Sequence, residues 1–352
     1  MWLNQSFPAI SRRERNLSTE HLIPVAVVGV GAFGRNHARV YQQLASLGLG
    51  VRLVGVVDSE IERGNRIAEE FGCRAFASVE SLVSSGRPIQ AASVAVPTLY
   101  HLAVARQLLE AGIDVLIEKP LATSLEEADE LSRLAQQRSR IVQVGHLERF
   151  NPAVRATLPI LTRPMFFEVH RLSEFTPRSL DIDVVLDLMI HDLDVVLSFV
   201  KSPVEAIRAV GLPVLSDKVD IANVRVEFAS GCVANFTASR VSTERVRKLR
   251  FFQPKQYVSI DYGRQDVLVF SVGHSDPVAV ASVNPQIQVA RLPTAAVEPL
   301  QAELKSFLDC VRSRSAPVVS LADGRQALSL ALDILRTIGE HGNRLHLDEL
   351  GT

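Results

Sequence analysis

Lys119 follows the apolar run "DVLIE" and stands between Glu118 and Pro120, a tighter setting than a surface lysine needs. Asp187 and His191 are four residues apart in "DLMIHDLD", so they share a helix face. An ammonium group stabilises an oxygen that gains charge, and an imidazole takes a proton near neutral pH. Together they suit the oxidation of a hydroxyl. Each also has a plainer reading: a surface lysine tied to a carboxylate, and an ion pair inside a domain interface. A second constellation gives the chemistry a direction. In "VVGVGAFGRNHARVY" a β-branched run ends in Gly29, Gly31 and Gly34, spaced G-x-G-x-x-G. The first glycine permits a tight turn, the second lets a pyrophosphate approach the backbone, and the third lets a helix pack on the strand. The helix amides then face the anion.

Asp58 supplies the context that glycines alone lack. It ends a second apolar run, 24 residues after Gly34. An acid there accepts hydrogen bonds from the ribose hydroxyls and repels a 2′-phosphate. NAD is therefore expected over NADP, although Arg63 lies close by, and Asp58 also suits a helix N-cap. Ala32 and Phe33 in the glycine turn are expected to line the cofactor. So are Pro97, Thr98 and His101 in "VAVPTLYH", and Glu118 and Lys119 in "EKP". All of these follow apolar strands, and ligands of open α/β sheets sit beyond the carboxyl ends of strands.

The elements that position these residues are legible as patterns. Between Pro24 and Gly145, short continuous apolar runs alternate with helical segments. That texture means a parallel sheet covered on both faces, wound by right-handed crossovers. After Gly145 comes one helical segment, "DVVLDLMIHDLDVVLSFV". Alternating stretches follow, among them "VDIANVRVEFASGCVANFTASR" with its Ser-Gly turn, an antiparallel hairpin. Two amphipathic helices, about 297–313 and 323–340, finish the chain. The expected class is α/β: a Rossmann doubly wound domain, 23–146, and an α+β domain with an open, mostly antiparallel sheet, 147–352. The polar extension 1–22 precedes both. An open sheet covered by helices on one face leaves the other for a second copy, so a homodimer or homotetramer is expected.

Composition excludes several classes. The chain has 352 residues, 47% hydrophobic and 22% charged, with a formal net charge of −1. Two globular domains fit that length, and neither nucleic-acid binding nor membrane-surface binding is expected. Charge or proline interrupts every long apolar run, so no membrane insertion is expected. The first twenty-odd residues lack a signal-peptide pattern. Cys73, Cys232 and Cys310 are scattered, which points to a reducing, cytoplasmic setting. The spacing in "HDLD" is not a zinc pattern, and no metal is expected.

Taken together, "GVGAFGRNH", Asp58, "VPTLYH", "EKP" and the D-x-x-x-H-D-x-D helix resemble the Gfo/Idh/MocA family of NAD(P)-dependent sugar and cyclitol oxidoreductases, over nearly all of residues 24–340. The resemblance implies a catalytic lysine at Lys119, a catalytic histidine at His191 and a substrate-contacting aspartate at Asp187. It also implies a cis Lys119–Pro120 peptide. Met189 stands where the family often has glycine, and its bulk is expected to narrow the pocket or shift the helix. "GHLERFNPAV" with "DLMIHDLD" resembles the branch that oxidises C3 of UDP-N-acetylglucosamine, upstream of an aminotransferase that makes a 3-amino sugar for lipid A. For such a nucleotide-linked sugar, Arg149, Asn151, Arg171, Arg178 and Arg240 are the candidate diphosphate donors, with ordinary salt bridging as their alternative. A free sugar, an inositol or a sugar acid are the competing substrates. A nucleotide-sensing regulator on the same fold is the competing class.

Overall fold

Continuous apolar runs form the strands of the first sheet in the computed structural model, which describes residues 22–176, 182–272 and 287–344. Residues 1–21 and Arg178 lie outside the described residues. The strands are β1 (Ile23–Val28), β2 (Val51–Val57), β3 (Arg74–Phe76), β4 (Ala91–Val94), β5 (Asp114–Glu118) and β6 (Val142–Gly145). All pairs are parallel, in the order β3-β2-β1-β4-β5-β6. Every residue of β4, β5 and β6 is buried, which is why these runs do not alternate. Helices α1 (Ala32–Ser46), α2 (Ile61–Phe71), α3 (Val79–Val83), α4 (His101–Glu110) and α5 (Leu125–Arg138) fill the crossovers. The chain leaves β1 toward one side and β4 toward the other, so a crevice opens at their carboxyl ends. The short strand β3 has no counterpart among the expected elements.

A short helix α6 (Pro152–Thr157), N-capped by Asn151, leads to the second sheet. Its strands are β7 (Phe166–Glu174), β8 (Val204–Leu212), β9 (Ile221–Phe228), β10 (Val233–Ser242), β11 (Val246–Gln253), β12 (Gln256–Asp261), β13 (Asp266–Val272) and β14 (Ile287–Arg291). The order is β14-β13-β12-β11-β7-β10-β9-β8, antiparallel except where β7 pairs β10. The expected hairpin is β9 and β10, turning at Gly231 with φ +81°. The central strand β7 went unread in the sequence. It alternates buried and half-buried residues over only nine positions.

The expected single helix at 183–200 is a π turn, Val185–Met189, running into α7 (Ile190–Val200). Met189 is buried in the core between α7 and the second sheet. Of the two expected effects, its bulk does not narrow the pocket; the helix departs from α geometry in the turn that ends at Met189. The last two helices are α8 (Pro299–Ser313) and α9 (Leu321–Arg344). α9 packs on the second sheet, but α8 turns back onto the first domain. Leu300, Leu304, Phe307 and Leu308 share one core with Ala38, Tyr41 and Leu44 of α1. Apolar spacing marks the buried face of a helix without saying what covers it. No helix among the described residues is long and apolar enough to cross a membrane.

Candidate active site

At the glycine turn, Gly29 has φ +81°, and a Cβ there would lie 2.7 Å from the carbonyl oxygen of Ala95. A Cβ on Gly34 would lie 1.8 Å from the carbonyl oxygen of Gly29, so helix and strand touch backbone to backbone. Gly31 differs: among the described residues nothing lies within 4 Å of its would-be Cβ. The turn is thus closed where it packs and open where a ligand would approach. Gly31 caps α1 without a side chain, and Ala32 and Phe33 are exposed on its first turn. Amides at such a helix start hold an anion. Pro97 and Thr98 follow Ala95 and Val96, which leave the end of β4 and abut Gly29.

Asp58 is 4% exposed and takes four donors. Val30 and Glu60 donate backbone N–H, each at 2.9 Å, and Arg63 donates from Nε at 2.9 Å and Nη2 at 2.7 Å. Burial alone would raise the carboxyl pKa; the Arg63 fork and the two amides outweigh it and lower it. Every lone-pair position is filled, so ribose hydroxyls must displace Arg63. Asp58→Ala, which frees Arg63 for a 2′-phosphate, is expected to lower the NAD-over-NADP binding ratio by about tenfold or more, or ~1.4 kcal/mol. Titration calorimetry with both dinucleotides checks this, and an unchanged ratio returns Asp58 to a purely structural role.

Lys119 leaves the end of β5 with a cis peptide to Pro120. Its Nζ donates to the Asp187 carbonyl at 2.7 Å and to Asp187 Oδ1 at 3.2 Å. The π turn therefore presents both acceptors of Asp187 to the lysine, and such turns recur at functional sites. No hydrogen bond joins Asp187 to His191 among the described residues, so Asp187 serves the lysine rather than orienting the imidazole. Among the described residues His191 Nδ1 is buried without a partner. Burial first, then the charge of Lys119, drives its pKa well down and keeps the ring neutral. Lys119 thus meets the π turn that leads into the His191 helix.

Two residues expected to line the cofactor do other work. His101 is buried, its Nδ1 2.9 Å from the Pro120 carbonyl and its Nε2 2.9 Å from the Val96 carbonyl. It clamps the turns after β4 and β5. Glu118 is buried beside His37, Oε1 to Nε2 3.0 Å.

The diphosphate donors are also corrected. Arg171 is 4% exposed and grips Asp192 at 2.6 and 3.0 Å and Glu148 at 3.1 Å. Arg240 is bound to Asp220 at 2.7 Å and to the Ile182 carbonyl at 2.6 Å. Arg149 holds Asp194 at 3.2 Å. The Asn151 amide donates to Glu148 and to the Tyr262 carbonyl. Buried charges need partners, and these have found them inside the protein. Arg247 was missed. It lies directly across from Arg171 in the β11–β7 register. Among the described residues its guanidinium has no hydrogen bond or ion pair, and its charge reaches His191. Arg247 is itself exposed; partial desolvation and then the Arg171 charge lower its pKa. The dense cations of "RVRK" were the available signal.

Residues 23–146 match the family described as "Oxidoreductase family, NAD-binding Rossmann fold", and residues 162–255 match the GFO/IDH/MocA C-terminal domain. The UDP-N-acetylglucosamine 3-dehydrogenase of Acidithiobacillus ferrooxidans is 36% identical over 309 residues, 88% of this chain and 95% of that protein. The scyllo-inositol 2-dehydrogenase (NAD(+)) of Bacillus subtilis is 27% identical over 331 residues, 89% and 93% of the two chains. Among solved structures, the Acidithiobacillus enzyme superposes with a TM-score of 0.81 at 34% identity, covering 90% of this chain and 98% of that one. A levoglucosan dehydrogenase with NADH and levoglucosan has a TM-score of 0.78 at 18% identity, covering 90% and 97%, a likeness of fold.

Proposed function

The chain belongs to the Gfo/Idh/MocA family of NAD-binding oxidoreductases acting on sugar hydroxyls, and from that premise we propose that it oxidises C3 of UDP-N-acetylglucosamine to the 3-keto sugar nucleotide. The observation that carries this choice is the 36% identity to a UDP-N-acetylglucosamine 3-dehydrogenase across both domains. Arg247 supports it, because a free polyol offers that guanidinium no anion and a diphosphate does. The product suits an aminotransferase that would supply a 3-amino sugar.

The glycine turn and Asp58 hold NAD, which when bound supplies the hydride acceptor. Lys119 donates a hydrogen bond to the sugar hydroxyl oxygen, its ammonium aimed by the two Asp187 acceptors. Neutral His191 takes the hydroxyl proton. Arg247 holds the diphosphate. A second copy covers the outer face of the large sheet, where Phe166, Phe252, Tyr257 and Phe270 form a ladder with ring centroids 5.6, 4.8 and 5.1 Å apart. A reducing, cytoplasmic compartment fits the free Cys73, Cys232 and Cys310.

NADH formation with UDP-N-acetylglucosamine, N-acetylglucosamine and scyllo-inositol tests the reading. The sugar nucleotide is expected to win. Arg247→Ala is expected to raise its KM about tenfold or more, the ~1.5–3 kcal/mol of a charged hydrogen bond, with kcat nearly unchanged. Preference for scyllo-inositol sinks the sugar-nucleotide assignment. An unmoved KM removes Arg247 from the site.

A further inference from the structure

Asp187 is taken up by Lys119, so something else must fix the start of α7, which carries His191. Among the described residues the imidazole Nδ1 has no hydrogen-bond partner. No bond at that nitrogen turns the ring, so the backbone beneath it decides where it points. That backbone follows directly on the π turn Val185–Met189. Such turns are rare, and tertiary contacts must hold them.

The residue after His191 supplies the hold. Asp192 lies in the first turn of α7, and both of its oxygens meet Arg171 of β7. Arg171 Nε donates to Oδ2 at 2.6 Å, and Nη2 donates to Oδ1 at 3.0 Å. A two-pronged fork of this kind fixes direction as well as distance. Nη2 also donates to Glu148 Oε1 at 3.1 Å. Glu148 stands in the turn Leu147–Phe150, by which the chain leaves β6 for the second domain. Its other oxygen accepts from Asn151 Nδ2 at 2.9 Å, and the same amide reaches the Tyr262 carbonyl at 3.2 Å. The Tyr262 ring lies under the guanidinium, its centroid 5.1 Å from Cζ. All five residues are more than nine-tenths buried.

One arginine therefore ties three elements together: the second sheet, the His191 helix and the exit from the first domain. Apolar side chains of similar size would cost less to bury than an arginine with two carboxylates. Stability alone does not ask for this set, whereas a need for direction does. We propose that Arg171 is a positioning residue for the oxidation: its fork to Asp192 sets where His191 meets the sugar hydroxyl, and its bond to Glu148 refers that setting to the domain that carries Lys119. It acts through Asp192 and not on the reacting atoms. Lys119 holds the π turn through Asp187, and Arg171 holds the helix beyond it through Asp192. A loosened fork leaves Lys119 and His191 present but lets their separation drift. Misplacement by about 1 Å can cost about a hundredfold in rate.

This role for Arg171 rests on the dehydrogenase reading, and the test tells the two apart. Single-turnover stopped-flow on the full-length enzyme follows NADH, with NAD limiting and whichever sugar the wild type oxidises best in excess. Asp192→Asn keeps the shape and weakens the fork. Arg171→Lys keeps the charge and loses the second prong. In each, the rate constant for NADH formation is expected to fall about tenfold or more, while the amplitude and the NAD dissociation constant stay near wild-type values. A third protein, Arg171→Met with Asp192→Leu and Glu148→Gln, removes the buried charges together. Its melting temperature is expected to match or exceed that of the wild type, because no buried charge is left unpaired. Its rate constant is expected to stay low, because the direction is gone. Wild-type rate constants in the two single variants overturn the role. A reduced amplitude at the wild-type rate constant also does, since that is a misfolded fraction. Recovery of rate together with stability in the triple variant has the same meaning. If the triple variant does not fold, rate constant against amplitude in the single variants decides; if the single variants do not fold, the triple variant decides. Failure of all three to fold assigns the network to stability alone. A wild type that forms no NADH with any sugar loses the dehydrogenase reading, and this role with it.

Discussion

Lys119→Ala is expected to cut turnover by about a thousandfold or more while the dissociation constant for NAD moves little. Among the described residues the lysine is the one cation hydrogen-bonded to Asp187, at 2.7 and 3.2 Å. Removing a preorganised donor to a developing oxyanion costs about 10²–10³ in rate. Without the ammonium, His191 must take its proton from an unassisted hydroxyl, so the loss exceeds that of the donor alone. In the proposed site NAD is held by the glycine turn and Asp58, which the substitution leaves alone. Asp187 is a quarter exposed, so losing its partner does not bury an unpaired charge. Lys119→Arg is not expected to rescue, because a planar fork cannot take the place of a point charge held against one carbonyl and one carboxylate oxygen. Steady-state rates beside calorimetric NAD titration read both quantities. Parallel loss of binding and rate would mean that Lys119 holds the crevice together and does no chemistry.

Gly34→Ala is expected to unsettle the first domain and abolish dinucleotide binding. Its Cβ would sit 1.8 Å from the Gly29 carbonyl oxygen. Neither side can yield: the obstacle is backbone, and Gly29 is itself wedged against Ala95 with φ +81°. The destabilisation should exceed the ~1–3 kcal/mol of ordinary overpacking, because α1 must lift from β1. Gly31→Ala is the contrast. With nothing within 4 Å of the new methyl group, thermal unfolding should stay where it was while NAD affinity falls, since the methyl occupies the ligand's approach. Melting curves and NAD titrations of the two variants separate packing from binding. A Gly34→Ala protein with native melting and native affinity would contradict the contact between helix and strand.

Much of the site is local, and local features are visible along a chain. The turn at Gly29–Gly34, the acid after β2 and the lysine after β5 each need only a strand end beside them. A fully buried parallel strand announces itself as an uninterrupted apolar run. The pairing of Lys119 with Asp187 needed the fold, which brings the carboxyl end of β5 to the π turn before α7.

The residues misread were those whose role depends on a distant partner. As letters, Arg171, Arg240 and Arg247 are alike. Arg171 met Asp192 and Glu148, and Arg240 met Asp220, because sheet register and the packing of α7 brought carboxylates to them. Arg247, beside Arg171 in register, was left without a hydrogen bond or ion pair among the described residues. Glu303 is fully buried where α8 docks on α1. By itself, then, the sequence determined the fold class and the family, and it nominated a glycine turn for the dinucleotide and residues for the oxidation. Tertiary structure alone decided which charges are consumed inside the protein and which stay available, because ion pairing depends on distance through space and the sequence records only distance along the chain.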